Sequence, residues 1–203
     1  MKHTMNISSN LEDLSKEFDK IPQERKLQLQ ALANLVKDNI SQKGESYLNF
    51  ICTHNSRRSQ LAQVCLMLAA DHYGIKNVFA LSGGTEATAF NHRMVDALIR
   101  FGVDLKQIEA GDNPVYSLDI DENTRLFSKT YDHPSSSEKD FIAVMVCDHA
   151  DENCPFVPGA SSRFSLQYED PKAFDDSPKE EEAYDNKIIE IAREILFLTS
   201  NIS

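Results

Sequence analysis

FICTHNSRRSQ, residues 50–60, settles how the rest of the chain is read. The apolar run YLNFIC (47–52) stops at Cys52. Polar residues follow, then Arg57 and Arg58 side by side, then Ser59. From 59 to 73 the apolar residues fall at helical spacing, as far as Gly74. A short, continuous apolar run is the pattern of a strand buried on both faces. The stretch is therefore strand, loop, helix. In an open α/β sheet, ligands bind in the crevice beyond the carboxyl ends of the strands. The chain carries a net charge of −11, so a local pair of arginines at such a place needs a reason.

Outward from this unit the rhythm repeats. NVFAL (77–81) predicts a second strand, closed by a turn at Gly83 and Gly84. Residues 91–101 predict a helix with Met94, Val95, Leu98 and Ile99 inward. FIAVMVC (141–147) is the clearest buried strand, and Phe164 to Tyr168 a last short one. Glu181 to Leu198 predicts a closing helix with Ile188, Ile191, Ile195 and Leu198 on one stripe. Strands alternating with helices imply a mostly parallel sheet covered on both faces, an α/β fold. Residues 111–140 break the rhythm and predict an insertion, a hairpin or an edge strand. Residues 1–44 predict a helical extension, with Leu32, Leu35, Val36 and Ile40 on one face, a start at Pro22 and a stop at Gly44. The α/β domain proper is expected over 45–203.

A length of 203 residues with 41% hydrophobic content suits one α/β domain with an appended segment. The acidic balance argues against nucleic-acid binding. No apolar run approaches the ~20 residues that span a bilayer, and the N-terminus lacks an apolar signal region. A cytoplasmic protein is expected. Four cysteines, Cys52, Cys65, Cys147 and Cys154, are too few for a disulfide scaffold. Cys65 lies within LAQVCLMLAA and is expected to pack as a small hydrophobe.

The spacing from Cys52 to Arg58 is weak evidence alone; its position between strand and helix gives it meaning. A loop there can turn the backbone N–H groups of Thr53, His54, Asn55, Ser56 and Arg57 inward, forming an anion cradle with the helix N-terminus. Arg58 can grip two oxygens of a tetrahedral oxyanion. The same field favours the thiolate at Cys52, the form that attacks. Ser59 is placed to hydrogen-bond that sulfur, and Asn55 to brace the loop. The leaving oxygen needs an acid. Asp170, in YEDP just past the last expected strand, is a candidate because Pro171 stiffens its loop; an ordinary turn aspartate is the alternative.

CTHNSRRS, the later SGGTEA and an Asp-Pro after the last strand resemble the low-molecular-weight tyrosine phosphatase superfamily, which includes the thioredoxin-coupled arsenate reductases. The resemblance covers about residues 46–200. Cys52, Asn55, Arg58 and Ser59 match its C-x-x-N-x-x-R-[ST] motif. It implies a four-stranded parallel sheet flanked by helices, in agreement with the strands read above, and Asp170 as the general acid. It further implies a redox relay for CDHADENCP (147–155), whose two cysteines and trailing proline look like the reductase pattern. In that branch the first loop cysteine attacks the arsenylated nucleophile, the second pairs with the first, and thioredoxin reduces the result. Cys147 and Cys154 would take those roles, with no tightly bound cofactor.

The aromatic wall that follows the Asp-Pro in tyrosine phosphatases is not matched by DPKAF, which favours a small oxyanion such as arsenate or phosphate. A cysteine phosphatase acting on phosphotyrosine or small phosphate esters is the alternative. A non-catalytic oxyanion-binding module, working through the N-terminal helix or the 111–140 insertion, is the third. A zinc site of Cys147, His149 and Cys154 lacks a fourth ligand at motif spacing, so no metal is expected. Arg57 stands where both branches commonly have a second cysteine, and His54 where a glycine is common. If 147–154 were helical, seven residues would rise ~10.5 Å, beyond the about 4.4–6.8 Å a disulfide allows between Cα atoms. The oxidised state would therefore require this segment to loop or unwind, and DHADEN, with three acids and few apolar anchors, is expected to have low local stability.

Overall fold

The computed structural model describes residues 6–136, 140–153 and 156–202. In chain order these form α1 (Ile7–Ser15), α2 (Gln23–Lys43), β1 (Ser46–Cys52), α3 (Arg58–Tyr73), β2 (Val78–Gly84), α4 (His92–Arg100), β3 (Leu105–Glu109), β4 (Val115–Leu118), β5 (Asp121–Leu126), β6 (Phe141–Met145), α5 (Asp148–Asn153), β7 (Ala160–Ser165) and α6 (Glu180–Ser200). The main sheet is four-stranded and parallel, in the order β2-β1-β6-β7. β1 and β6 are central, and Leu48, Phe50, Ile51 and all of Phe141–Met145 are fully buried. This is why both read as unbroken apolar runs.

Helices cover the sheet. α3 packs between the sheet and α6, so its burial extends around most of its circumference, from Leu61 to Ala69. Cys65 lies within that core at 3% exposure, and burial raises its pKa. Ile188, Ile191, Ile195 and Leu198 form the buried stripe of α6. α1 and α2 lie against α6, and α2 also touches β1. Leu29, Leu32 and Val36 are fully buried, while Leu35 and Ile40 are only partly covered. Gly44 ends α2 in the left-handed conformation (φ 85°) that glycine adopts without strain.

Four local expectations change. Gly83 and Gly84 are not a turn: they are the last residues of β2, paired with Ile51 and Cys52. They are glycines because neighbouring backbone passes where a Cβ would be, that of Tyr131 beside Gly83 and that of Thr53 and Asn55 beside Gly84. Ile99 is half exposed; the buried face of α4 is Met94, Val95, Ala97 and Leu98. The last strand ends at Ser165; Leu166 to Tyr168 continue along β6 through single hydrogen bonds to Met145 and Val146. The excursion begins at Leu105 and is a second, three-stranded antiparallel sheet, β3-β4-β5. Residues 127–130 then return to the main sheet, where Thr130 bridges Gly84.

Candidate active site

β1, β6 and β7 run parallel, so their carboxyl ends share one edge of the sheet. That edge collects chemistry from three distant parts of the sequence. β1 ends at Cys52. β6 is followed by Cys147, since Val146 N–H donates to Ile51 O at 2.9 Å. β7 leads through Tyr168 to Asp170.

The loop 53–57 owes its shape to its carbonyls. Cys52 O accepts from Thr85 N–H (3.1 Å), Thr53 O from Glu86 N–H (2.8 Å), Ser56 O from Asn91 N–H (3.0 Å) and Arg57 O from Leu61 N–H (2.9 Å). His54 O accepts from Ser128 Oγ at 2.7 Å, and Asn55 O from Gln60 Nε2 at 3.3 Å. Every carbonyl from 52 to 57 is thus drawn outward. In a trans peptide the N–H that follows each carbonyl points the opposite way, an arrangement suited to binding an anion at the start of α3.

Asn55 holds the centre, in the left-handed region at φ 46° and fully buried. Its Oδ1 accepts from Lys129 N–H and from Gln60 Nε2, both at 3.0 Å. A backbone N–H can only donate, which fixes the amide orientation and leaves Nδ2 to donate to Ser59 Oγ at 2.9 Å. The Ser59 proton is then free to point at Cys52 Sγ, 3.0 Å away.

Arg58 extends from the first turn of α3. Its Nη1 donates to Tyr168 O (2.9 Å) and its Nη2 to Asp170 Oδ2 (2.8 Å). Its Nε is buried and has no partner, leaving one N–H free for an anion. Asp170 also accepts from Lys172 N–H through Oδ1 at 3.0 Å, capping the short turn Pro171–Phe174. Cys52, Thr53, His54, Ser56, Arg57, Arg58 and Asp170 enclose about 10 Å³, room for about one water molecule. His54 sits at the rim, its Nε2 3.6 Å from Glu86 Oε2.

Cys147 is fully buried next to this loop. The Thr53 hydroxyl lies 3.7 Å from its sulfur and 3.3 Å from His149 Nδ1. Ala150 N–H approaches the same sulfur at 3.4 Å. Cys52, Cys65 and Cys147 are free thiols. Cys154 lies outside the described residues. DHADEN is helical, as α5, and is anchored at Asp151. The Asp151 carboxylate accepts from Ser165 Oγ (2.7 Å) and Gln167 Nε2 (2.8 Å) and pairs with Arg163. Arg163 and Ser165 of β7 and Gln167 just beyond it supply polar partners that an apolar count overlooked. Among the described residues, no three His, Cys, Asp or Glu side chains are grouped to hold a metal, and no helix is long and apolar enough to cross a membrane.

Several contributors were not foreseen. Lys129 is buried at 2% exposure; its Nζ donates to Phe127 O and lies over the Phe127 ring, and burial lowers its pKa to about 8. Within TRLFSKTY nothing distinguishes it from a surface lysine. Arg57 is tied to Asp175 and Tyr184 rather than exposed. Arg25 of α2 donates to Glu194 (2.8 Å) and to Gln167 O (2.9 Å) and lies over the Tyr168 ring, so the N-terminal segment supports the strand extension that leads to Asp170.

A four-stranded parallel sheet with a loop from Cys52 to Arg58 between its first strand and the next helix defines a low-molecular-weight phosphatase-like fold. A low-molecular-weight protein tyrosine phosphatase from T. tengcongensis superposes with a TM-score of 0.52 at 20% identity, over 77% of this chain and 99% of that one, and so shares the fold. In sequence the chain is similar to arsenate reductase 2 of Staphylococcus epidermidis, 27% identical over 123 residues, which covers 60% of this chain and 76% of that protein. Arsenate reductase 2 of Staphylococcus haemolyticus and the arsenate reductase of Staphylococcus aureus match with the same identity and coverage. No family model matches the chain. The chain thus resembles the low-molecular-weight tyrosine phosphatase superfamily, and its sequence relatives there are arsenate reductases.

Proposed function

We propose that the chain is an arsenate reductase with Cys52 as nucleophile, Arg58 as oxyanion clamp, Asp170 as acid, and Cys147 and Cys154 as a redox relay emptied by a thioredoxin-class dithiol. The observation that carries this reading is Cys147, buried at the end of β6 with the Thr53 hydroxyl of the nucleophile loop 3.7 Å from its sulfur. A hydrolase has no need of a second thiol there.

Arsenate enters the amide cradle and takes the free Arg58 Nε–H, competing with Asp170 for the guanidinium. The Cys52 thiolate attacks arsenic, a sulfur–arsenic bond forms, and an arsenic–oxygen bond breaks with the oxygen leaving as water on a proton from Asp170. The Ser59 hydroxyl, 3.0 Å from Cys52 Sγ, orients the attacking sulfur. Cys147 as thiolate then attacks Cys52 Sγ. A disulfide forms, the sulfur–arsenic bond breaks, and its electron pair stays on arsenic, which leaves as arsenite. Two thiols have supplied two electrons. Cys154 attacks Cys147 and frees Cys52, and the external dithiol reduces the Cys147–Cys154 disulfide. The six residues of α5 rise about 9 Å, while disulfide Cα atoms lie about 4.4–6.8 Å apart. Pairing Cys147 with Cys154 therefore needs α5 to unwind.

The test is to treat the reduced protein with arsenate and map disulfides by mass spectrometry, while following aryl phosphate hydrolysis by wild type and Cys147→Ser. A Cys147–Cys154 disulfide that appears only with arsenate is expected. Brisk hydrolysis indifferent to Cys147→Ser, with no such disulfide, would replace this reading with a phosphatase. Absence of both would leave an oxyanion-binding module.

A further inference from the structure

The Arg57 side chain, unlike that of its neighbour Arg58, has no part in the reaction just described. Its side chain is only 13% exposed and carries a dense set of contacts. Nε donates to the Tyr184 hydroxyl at 2.8 Å, and Nη2 donates to Asp175 Oδ2 at 3.1 Å. The Tyr184 hydroxyl in turn donates to Asp175 Oδ1 at 2.7 Å. Arginine, tyrosine and aspartate form a closed triangle. Tyr184 is 1% exposed, so its hydroxyl has exchanged water for these two partners.

The triangle joins three elements: the end of the oxyanion loop, the start of α6, and the turn that bears Asp170. That turn has two anchors. At its first residue Asp170 is held by Arg58 at 2.8 Å. At its far end Asp175 is held by Arg57. The Arg58 anchor is conditional, because an incoming oxyanion competes for the same guanidinium. Arg57 also lines the pocket, but its Nε and Nη2 are committed to Tyr184 and Asp175, which lie outside that lining. When substrate takes Arg58, the Asp170 turn remains fixed to the loop through Arg57. Arg57 Nε also lies 4.0 Å from Asp170 Oδ1, close enough to attract the freed carboxylate.

We propose that Arg57 is a positioning residue that holds Asp170 in proton-transfer range once the oxyanion has displaced it from Arg58. This deepens the proposed function and rests on its assignment of Asp170 as the acid. Fork-shaped donation to a carboxylate and a hydroxyl at once is a task lysine performs poorly. Arg93 holds the outer side of the same turn, donating to Asp176 Oδ1 at 2.6 Å and Glu180 Oε2 at 2.8 Å, so losing Arg57 loosens the turn without releasing it.

General-acid assistance matters most for poor leaving groups, which gives a readout that a purely structural role would not move. Phenyl phosphate and 2,4-dinitrophenyl phosphate are compared with wild type, Arg57→Met, Arg57→Lys, Asp175→Asn and Asp170→Asn. Asp170→Asn should lose the phenyl ester far more than the dinitrophenyl ester. Arg57→Met and Asp175→Asn should repeat that pattern, about tenfold or more on the first and less than about threefold on the second, with Arg57→Lys between them and wild type. Adding Arg57→Met to Asp170→Asn should cost nothing further. Selective loss in Asp170→Asn with equal or no losses in both Arg57→Met and Asp175→Asn overturns the proposal. A flat Asp170→Asn overturns the assignment beneath it. Should wild-type hydrolysis be too slow to measure, the same variants are compared in arsenate-triggered loss of the Cys52 thiol. There Arg57→Met and Asp170→Asn should slow together, and a wild-type rate in Arg57→Met overturns the proposal.

Discussion

Cys52 and Cys147 end neighbouring strands of one sheet, yet the chain that follows each is built differently. After Cys52 every loop carbonyl is engaged by backbone or a buried side chain, and Asn55 ties the loop to Ser59, Gln60 and Lys129. After Cys147 comes a six-residue helix, anchored mainly through one carboxylate, Asp151, at the partly exposed edge of the sheet. The difference matches the two tasks proposed for them. A loop that cradles charge in a transition state must not reorganise. A segment that passes a disulfide from one partner to another must.

The largest effects should separate the two cysteines. Cys52→Ser should lower both arsenate-triggered thiol oxidation and any aryl phosphatase activity by more than about a thousandfold. Cys147→Ser should abolish the oxidation and leave hydrolysis within about threefold of wild type. A Cys147→Ser protein that still releases arsenite from a single arsenate, assayed without external thiol, would break the division of labour. Next is the rigidity of the first loop. A Cβ on Gly84 would sit 2.3 Å from Glu86 O, 2.6 Å from Thr53 O and 2.7 Å from Asn55 N, all backbone atoms. Gly84→Ala should therefore cost about 2–3 kcal/mol of stability and about a hundredfold in activity, measured by urea unfolding and by either assay. A fully active Gly84→Ala would show that the loop tolerates more movement than its hydrogen bonds suggest.

Lys129 sharpens the comparison from below. Its backbone N–H braces Asn55, while its side chain lies buried with no carboxylate partner among the described residues. Its pKa falls from 10.5 to about 8, so between those values the unfolded chain binds more protons than the folded one, and stability rises with pH through that window. Below pH 8 the full burden of about 3 kcal/mol is present. Lys129→Met keeps the backbone brace and removes the burden. It should raise stability at pH 7 by up to about 3 kcal/mol, with the gain fading towards pH 10.5, as measured by unfolding at both pH values. A destabilised variant at pH 7 would mean that the ammonium itself holds the loop.

How much of this was legible in the sequence depended on whether a residue acts within its own stretch. The strand-loop-helix unit at Cys52, the buried strand before Cys147 and the apolar stripe of α6 are local patterns, and the parallel sheet follows from their order. The motif residues 52–59 also lie in one stretch. The supports do not. Lys129 and Ser128 reach the loop from the far end of an insertion, Arg25 reaches Tyr168 from α2, and Arg57 meets Asp175 and Tyr184 more than a hundred residues away. Each is a polar residue whose meaning depends on a partner that only the fold supplies. Gly83 and Gly84 were misread for a related reason: a glycine pair suggests a turn, and only the neighbouring Tyr131, Thr53 and Asn55 backbones reveal a crowded strand end.

The smallest effect tests the second half of the comparison. Asp151 accepts from Ser165 and Gln167 and pairs with Arg163, and these contacts fasten the middle of α5 to β7 and its extension. If pairing Cys147 with Cys154 requires α5 to unwind, every unit of stability in this anchor slows that step. Asp151→Asn keeps the shape and weakens the charge-assisted bonds by about 1 kcal/mol, enough to populate the opened segment about fivefold more. The Cys52–Cys147 disulfide should then form at the wild-type rate after arsenate is added, and the Cys147–Cys154 disulfide about fivefold faster, followed by quenched-flow alkylation and mass spectrometry. An unchanged second step would mean that α5 opens freely despite its anchor. A slower one would mean that Asp151 aligns the sulfurs rather than restraining them, and the contrast between a fixed first loop and a yielding second one would not hold.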